Sequence, residues 1–475
     1  MSFYRNLILS LPEVKGPLQK LSLKSRMGWT FGMLVLFLFL ASVPLFGVAS
    51  SQAEYFKTLE LLLGAKFGFL LTLGIGPIVT ASIVLQLLKG AGIIKFDLSN
   101  EDGKLMYSGT HKLLTFFFII LEAIVYVKFN VLTPSSPELW WIVALQIALG
   151  AFIVFYMDEV VKRWGIGSGV SLFIAAGIAA TVFIQLFSPL TSTGSAGASW
   201  VFGGDDIPIG KFFAGLYYLS HSDPSSFLIT VLGPVAITVF LLLVIVFFQS
   251  VNVEIPLSFG RVRGQSIKRP LNFFYSGVIP VILISALGAN FQLWARLMQS
   301  LAEKANSSAF VRFISENILG QFSGTTPISG IVNWIHPIRL WDNLGNFFTL
   351  GVWPHMLSYI LYLVIGATVF AYFWVQTAGL DPRSQAKQII NSGLQIPGFR
   401  KDERIIEKVL ERYIGPLTIM GGIGIGLLAS TADILSALTS GTGILLLVMI
   451  TYQFYQQLAR ESMEDFSLLK KLMRK

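Results

Sequence analysis

The sequence predicts an all-α integral membrane protein with ten transmembrane helices in two five-helix halves, the second inverted relative to the first. Three observations predict it. Hydrophobic residues make up 54% of the 475 residues and charged ones 13%, with a mean hydropathy of +0.69; a soluble domain carries roughly 25% charge. Ten stretches approach the about 20 apolar residues that a span needs: 29–48, 67–89, 112–132, 138–160, 167–188, 227–249, 272–297, 351–378, 413–438 and 441–460. With a cytoplasmic N-terminus, 27 of the 35 Lys and Arg residues fall on the cytoplasmic side and eight on the other, the positive-inside bias. Five is an odd number, so the second set of five crosses upside down. That arrangement places a pathway at the interface between halves.

Residues 1–28 form a basic, amphipathic cytoplasmic segment, and Met1–Met27 lacks the small-residue cleavage site of a signal peptide. The first half covers 29–188. Inside it Gln52–Leu63, QAEYFKTLELLL, is too short to span and too apolar for a free loop. A half-helix folded back into the protein and an interfacial helix both fit. The second span, within Leu71–Ile94, carries Gly74, Gly76 and Pro77 near bilayer depth, with Thr72, Thr80 and Gln86 on the same segment. Pro removes a backbone donor, and irregular backbone survives there only under protein cover or beside a watery cavity. The segment therefore reads as part of a pathway.

An external loop, 189–226, leads to the second half, 227–460. Its outer loop 298–350 holds apolar patches around Ala309–Ile318 and Ile328–Leu340 and reads as a small cap or interfacial hairpin. The last two spans are separated by the Ser440–Gly443 turn, and 461–475 is a cytoplasmic tail. Cytoplasmic loops 250–270 and 379–412 carry four and seven basic residues, the second with a predicted amphipathic helix over Asp402–Arg412. Such blocks suit docking to a polyanion or an acidic protein face; orientation by positive charge alone also accounts for them.

Catalytic signatures do not appear. There is no cysteine, and His111, His221, His336 and His355 are scattered singly without metal-ligand spacing. No GxxxxGK[ST] phosphate cradle occurs. GIGSGV at Gly165–Val170 fails the GxSG protease pattern at Ile166, and GGDD at Gly203–Asp206 fails GxGD at Phe202. A non-enzymatic protein without metal or cofactor is expected. Glu122 is the one clear carboxylate deep in a span. It serves either proton or cation coupling or a polar latch between helices, with Asn290 and Gln292 of the seventh span as candidate partners.

LPEVKGP at Leu11–Pro17, VPLFG at Val43–Gly47, LGIGPIVTASIVLQLL at Leu73–Leu88 and GIGSGVSLFIAAG at Gly165–Gly177 resemble the SecY family. So do IPVIL at Ile279–Leu283, GANFQLW at Gly288–Trp294 and GTGILL at Gly441–Leu446. The resemblance, archaeal or eukaryote-like in flavour, implies an hourglass protein-conducting channel with a lateral exit between the second and seventh spans. It implies a pore ring of Ile75, Val79, Val170, Ile174, Ile282 and Leu446, branched aliphatics that offer ions no ligands. Residues 52–67 match the plug, with Tyr55, Phe56, Leu59, Leu62 and Leu63 as its apolar body. Thr80, Glu122 and Asn290 match polar positions of the lateral gate.

The resemblance further implies ribosome docking, through rRNA and ribosomal proteins, by Arg261, Arg263, Lys268, Arg269, Arg400, Lys401 and Arg404. It implies SecE-type and Secβ-type small membrane subunits, nascent polypeptides with their signal sequences, and the lipid bilayer as partners. A multi-pass protein of the prokaryotic, archaeal-type cell membrane with both termini cytoplasmic is expected. The competing reading is a secondary transporter of a small solute, motivated by the inverted halves and Glu122.

Overall fold

The computed structural model describes residues 2–19, 21–51, 68–90, 93–94, 96, 100–128, 132–191, 199–200, 207–221, 223–259, 266–303, 308–323, 326–338, 352–391, 394–395, 402–435 and 437–472. Ten helices correspond to the ten expected spans: α1 (Leu23–Leu40), α2 (Gly76–Gly90), α3 (Glu101–Lys128), α4 (Trp140–Trp164), α5 (Gly169–Phe187), α6 (Gly233–Ser250), α7 (Ile279–Ala302), α8 (Val352–Thr377), α9 (Glu403–Ile434) and α10 (Gly441–Leu472). Eight of them, all but α2 and α10, are long and apolar enough to cross a membrane. Helix α2 is apolar but has 15 residues. Helix α10 is apolar through Ile450, and then Gln453, Gln456 and Gln457 dilute it.

The helices point many of their large side chains outward. Phe31, Val35, Leu38 and Phe39 of α1 and Phe240, Leu243 and Phe247 of α6 are exposed, which is stable only when the surrounding solvent is itself apolar. Where helices touch, small residues carry the contact, as expected without a hydrophobic drive between helices. A Cβ on Gly422 or Gly426 of α9 would meet the α8 backbone at Thr368 and Val364 at 2.7 and 2.5 Å. The two glycines are four residues apart and let the backbones approach.

Several boundaries differ from the sequence reading; α10, for one, runs on to Leu472 through the segment expected as a tail, and three others bear on the site. Among the described residues the second span has no helix before Gly76; residues 68–75 are turns and bends around a single bridge from Phe69 to Pro44. Pro77 tolerates this because a first-turn residue needs no N–H partner, so Pro starts α2 instead of breaking it. Helix α3 begins at Glu101, eleven residues before the expected span. The amphipathic helix at Asp402 is the first part of α9, continuous with the ninth span through Pro416, and the Asp402 carboxylate caps it by accepting from the Arg404 N–H (2.9 Å).

Two short β elements organise the ends. Strand β1 (Val48–Ser51) pairs antiparallel with β2 (Leu132–Pro134), tying the chain after α1 to the chain after α3. Strands β3 (Asn252–Phe259) and β4 (Ser266–Asn272) form a hairpin, and β3 also pairs with β5 (Leu394–Gln395). Loops 250–270 and 379–412 are thus joined in one three-stranded sheet. Beneath it Ile255, Leu271, Ala386, Ile389, Ile406 and Leu410 form a separate apolar core.

The described residues of the 298–350 loop fold locally. It has short helices at Ala309–Phe313 and Gly330–Trp334 and a two-residue hairpin, Phe322–Ser323 with Thr326–Pro327.

Candidate functional site

The break before α2 organises the centre. Gly68 (φ 82°) and Gly74 (φ 52°) adopt left-handed conformations open chiefly to glycine. Leu71, Leu73 and Ile75 between and after them are buried. Their backbone is satisfied internally, as membrane depth requires. The N–H groups of Thr72, Gly74 and Gly76 reach Phe69, Leu71 and Leu73 carbonyls at 3.0 Å, and Leu70 N–H reaches Val43 O at 2.9 Å. Helix α4 presses on this turn through Gly150, where a Cβ would lie 2.0 Å from the Leu70 carbonyl oxygen.

From this base Ile75 and Val79 enter the main apolar core. There they join Ile174 of α5, Ile282 of α7 and Leu446 of α10, all buried, with Val170 half-buried against them. Four helices from both halves thus deliver branched aliphatics to one continuous cluster. Backbone hydrogen bonds hold four of these positions. The Ile75 carbonyl accepts from Ile78 and Val79 N–H (3.1 Å each), and the Val278 carbonyl accepts from Val281 and Ile282 N–H (3.2 and 3.3 Å). Val170 N–H donates to Asp158 Oδ1 (2.9 Å), whose other oxygen pairs with Lys162 Nζ (2.6 Å).

Between α5 and α10 lies a cavity of about 150 Å³. Gly167, Ser168, Ser171, Thr451, Gln453 and Gln457 contribute its polar lining, and no charged residue does.

The polar trio separates. The Glu122 carboxyl of α3 faces the Thr80 hydroxyl of α2, so both members of that contact lie in the first half. Asn290 of α7 is half-buried and is not part of that contact. A second polar tie joins α2 to α3, Ser82 Oγ to His111 Nε2 at 2.7 Å.

Of the expected docking residues, Arg404 is exposed in the first turn of α9. Arg269 donates to Gln385 Oε1 (2.6 Å), holding the β-sheet to the helix Pro382–Asn391. Lys268 lies in β4 opposite Pro256. Arg261, Arg263, Arg400 and Lys401, and the plug residues Tyr55, Phe56, Leu59, Leu62 and Leu63, lie outside the described residues.

Two constellations escaped the sequence reading. Asp433 of α9, like Asp158 of α4, is a buried carboxylate in a spanning helix that the sequence reading, centred on Glu122, passed over. It accepts from Tyr359 OH of α8 (2.7 Å) and from the Thr442 N–H of α10 (3.2 Å), and Thr442 Oγ1 also donates to it. A lone Asp in an apolar helix was its signal, since intramembrane charges are held by partners. On the other side Arg26 of α1 donates to the Gly165 carbonyl (2.9 and 2.7 Å) and pairs with Glu461 of α10 (2.8 Å). Nothing local in the sequence pointed to that one.

The family model SecY matches residues 70–455. The protein translocase subunit SecY of Methanothermobacter thermautotrophicus is 38% identical over 460 residues, covering 96% of this chain and 94% of that protein. A solved SecY channel, whose plug domain is described as stabilising the closed state and maintaining a membrane seal, superposes with a TM-score of 0.78 at 34% identity over 96% of each chain. Sec61 in the canine ribosome–channel complex from the endoplasmic reticulum superposes at 0.76, also at 34% identity and 96% of each chain.

Proposed function

The chain belongs to the SecY family, and from that premise we propose that it is the central pore-forming subunit of a Sec protein translocase. It conducts secretory polypeptides across the membrane and releases transmembrane segments sideways through a lateral gate. The observation that carries this reading is the convergence of Ile75, Val79, Val170, Ile174, Ile282 and Leu446 on one apolar cluster fed by both halves. A collar of aliphatic side chains excludes ions by dewetting and yields to a chain of any sequence.

The protein is a passive conduit without catalytic chemistry; its sequence holds no phosphate cradle, so the driving energy comes from a partner. Residues 52–67 serve as the plug. Thr80 and Glu122 form a polar seam on the first-half side of the gate, and Asn290 stands on the α7 side. The sheet that joins loops 250–270 and 379–412 supports this division of labour, because it gathers two basic loops onto one platform. That platform docks the ribosome through Arg261, Arg263, Lys268, Arg400, Lys401 and Arg404, while Arg269 braces it. SecE-type and Secβ-type subunits complete the complex. Both termini are cytoplasmic, in an archaeal-type cell membrane.

A small-solute transporter would use Glu122 as a coupling group, yet the group that Glu122 faces is a neutral hydroxyl. The deciding experiment places single cysteines, Ile75→Cys and Ile282→Cys, and crosslinks them to a secretory chain stalled in transit. Adducts at both sites are expected. No adduct at either would sink the central-pore reading.

A further inference from the structure

The connection between α5 and α6 contains a helix with its amphipathicity reversed. In Lys211–Ser220, KFFAGLYYLS, Ala214 and Gly215 face the protein. Phe212, Leu216 and Leu219 face outward and are 58%, 54% and 62% exposed. Their spacing places them on one helical stripe. A helix wetted on that stripe would carry the small residues outside and the large apolar ones inside, since each Å² of apolar surface left in water costs about 25 cal/mol.

The helix is not free to roll over. A Cβ on Gly215 would already meet the Phe227 ring at 3.3 Å, so the inward face is seated on the π-helical turn Phe227–Leu232. That turn exposes Leu228 and Leu232 and runs without a break into α6, a spanning helix on which Phe240 is 60% exposed. Polar groups bound the stripe at its end: the His221 ring stacks on Tyr217 at 4.1 Å, and Ser220 Oγ bonds the Tyr217 carbonyl at 2.7 Å.

We infer that Lys211–Ser220 is a membrane-interfacial helix whose Phe212–Leu216–Leu219 stripe inserts among lipid acyl chains on the α5–α6 side of the bilayer. The occupant is lipid because the helix is seated on the turn that leads directly into α6, a spanning helix whose Phe240, Leu243 and Phe247 are exposed and apolar. Interfacial helices of this kind bury one apolar face at the headgroup boundary. The segment then anchors the junction of the two halves to the bilayer surface instead of trailing in water. The inference rests on the membrane-channel reading above.

The chain contains no cysteine, so a nitroxide on a single introduced cysteine is a unique probe. Phe212→Cys, Leu216→Cys and Leu219→Cys would be labelled in the full chain, assembled with its partner subunits in phosphatidylcholine–phosphatidylglycerol vesicles. Phe240→Cys serves as the lipid reference and the exposed Glu411→Cys as the aqueous one. The expected result is a shift from relaxation dominated by a water-soluble nickel chelate, as at Glu411, to relaxation dominated by oxygen dissolved in the acyl region, as at Phe240. Nickel-dominated relaxation at the three sites, with Phe240 still oxygen-dominated, overturns this inference alone. Labels shielded from both reagents indicate a protein cover, another subunit or a second copy, and overturn it too. A nickel-dominated Phe240 would remove the membrane reading together with the inference.

Discussion

Arg26 and Glu461 join the first and last spanning helices through an ion pair of 2.8 Å between side chains that are each about one-quarter exposed. The same guanidinium holds the Gly165 carbonyl at 2.9 and 2.7 Å. Thr30, one turn along α1, accepts from the Ile166 N–H at 2.9 Å. The α4–α5 turn that launches Val170 and Ile174 is therefore clamped between α1 and α10.

Arg26→Ala should destabilise the protein more than Glu461→Gln. Removing Arg26 strands both a backbone carbonyl and a carboxylate, and a buried polar group left without its partner costs about 1–3 kcal/mol. Thermal unfolding of the detergent-solubilised complex would compare the two. Equal losses would show that the Gly165 contact contributes nothing.

Gly150→Ala should loosen the turn before α2. The new methyl would fall 2.0 Å from the Leu70 oxygen, so α4 must retreat, and overpacking of this kind costs about 1–3 kcal/mol. Gly177→Ala, with nothing within 4 Å of its Cβ position, is the matched control. Melting temperature and resting ion conductance in planar bilayers should change for the first variant and stay near wild type for the second.

Ile75→Asn and Ile282→Asn should each raise resting ion conductance. An amide in the collar supplies the ligands and hydration that branched aliphatics withhold. Ile75→Leu preserves an apolar side chain of similar volume and should remain tight. Conductance of Ile75→Asn no higher than that of Ile75→Leu would argue against a seal at this position.

Tyr359→Phe and Thr442→Val should each cost about 1–3 kcal/mol, because each removes a hydroxyl donor from buried Asp433. The two donors serve one carboxylate, so the double variant should depart from additivity by about 0.5–3 kcal/mol. A double-mutant cycle on unfolding free energy measures that coupling. Strict additivity would mean that Asp433 is not their shared acceptor.

Lys112→Met should be costly, since Lys112 Nζ and Glu159 Oε1 sit 2.7 Å apart with little exposure. Breaking such a pair from one side costs about 3–5 kcal/mol, whereas replacing both members by apolar residues is often nearly neutral. Lys112→Met combined with Glu159→Leu should therefore melt closer to wild type than Lys112→Met alone. Failure of the second substitution to restore stability would place the role of Lys112 elsewhere, for instance against the Phe155 ring, 5.4 Å from its Nζ.

Much of this molecule was determined by sequence alone, and the reason is the solvent. A bilayer demands long apolar helices and forbids unsatisfied backbone, so the spans and the break at Gly74–Pro77 were written in local composition. The residues proposed for the collar, Ile75, Val170, Ile282 and Leu446 among them, come from motifs, not from periodicity, because an isoleucine that packs and one that seals look alike in a chain.

Tertiary structure decided which distant groups meet. It alone put Asp433 beneath Tyr359 and Thr442, placed Arg26 beside Glu461, and paired β3 with β5 to merge two basic loops. It faced Glu122 with Thr80 across two neighbouring helices and left Asn290 without that contact. Such pairings depend on helix rotation and depth, which one span's composition does not encode; they emerge when every buried polar group must find a partner inside the same packed bundle.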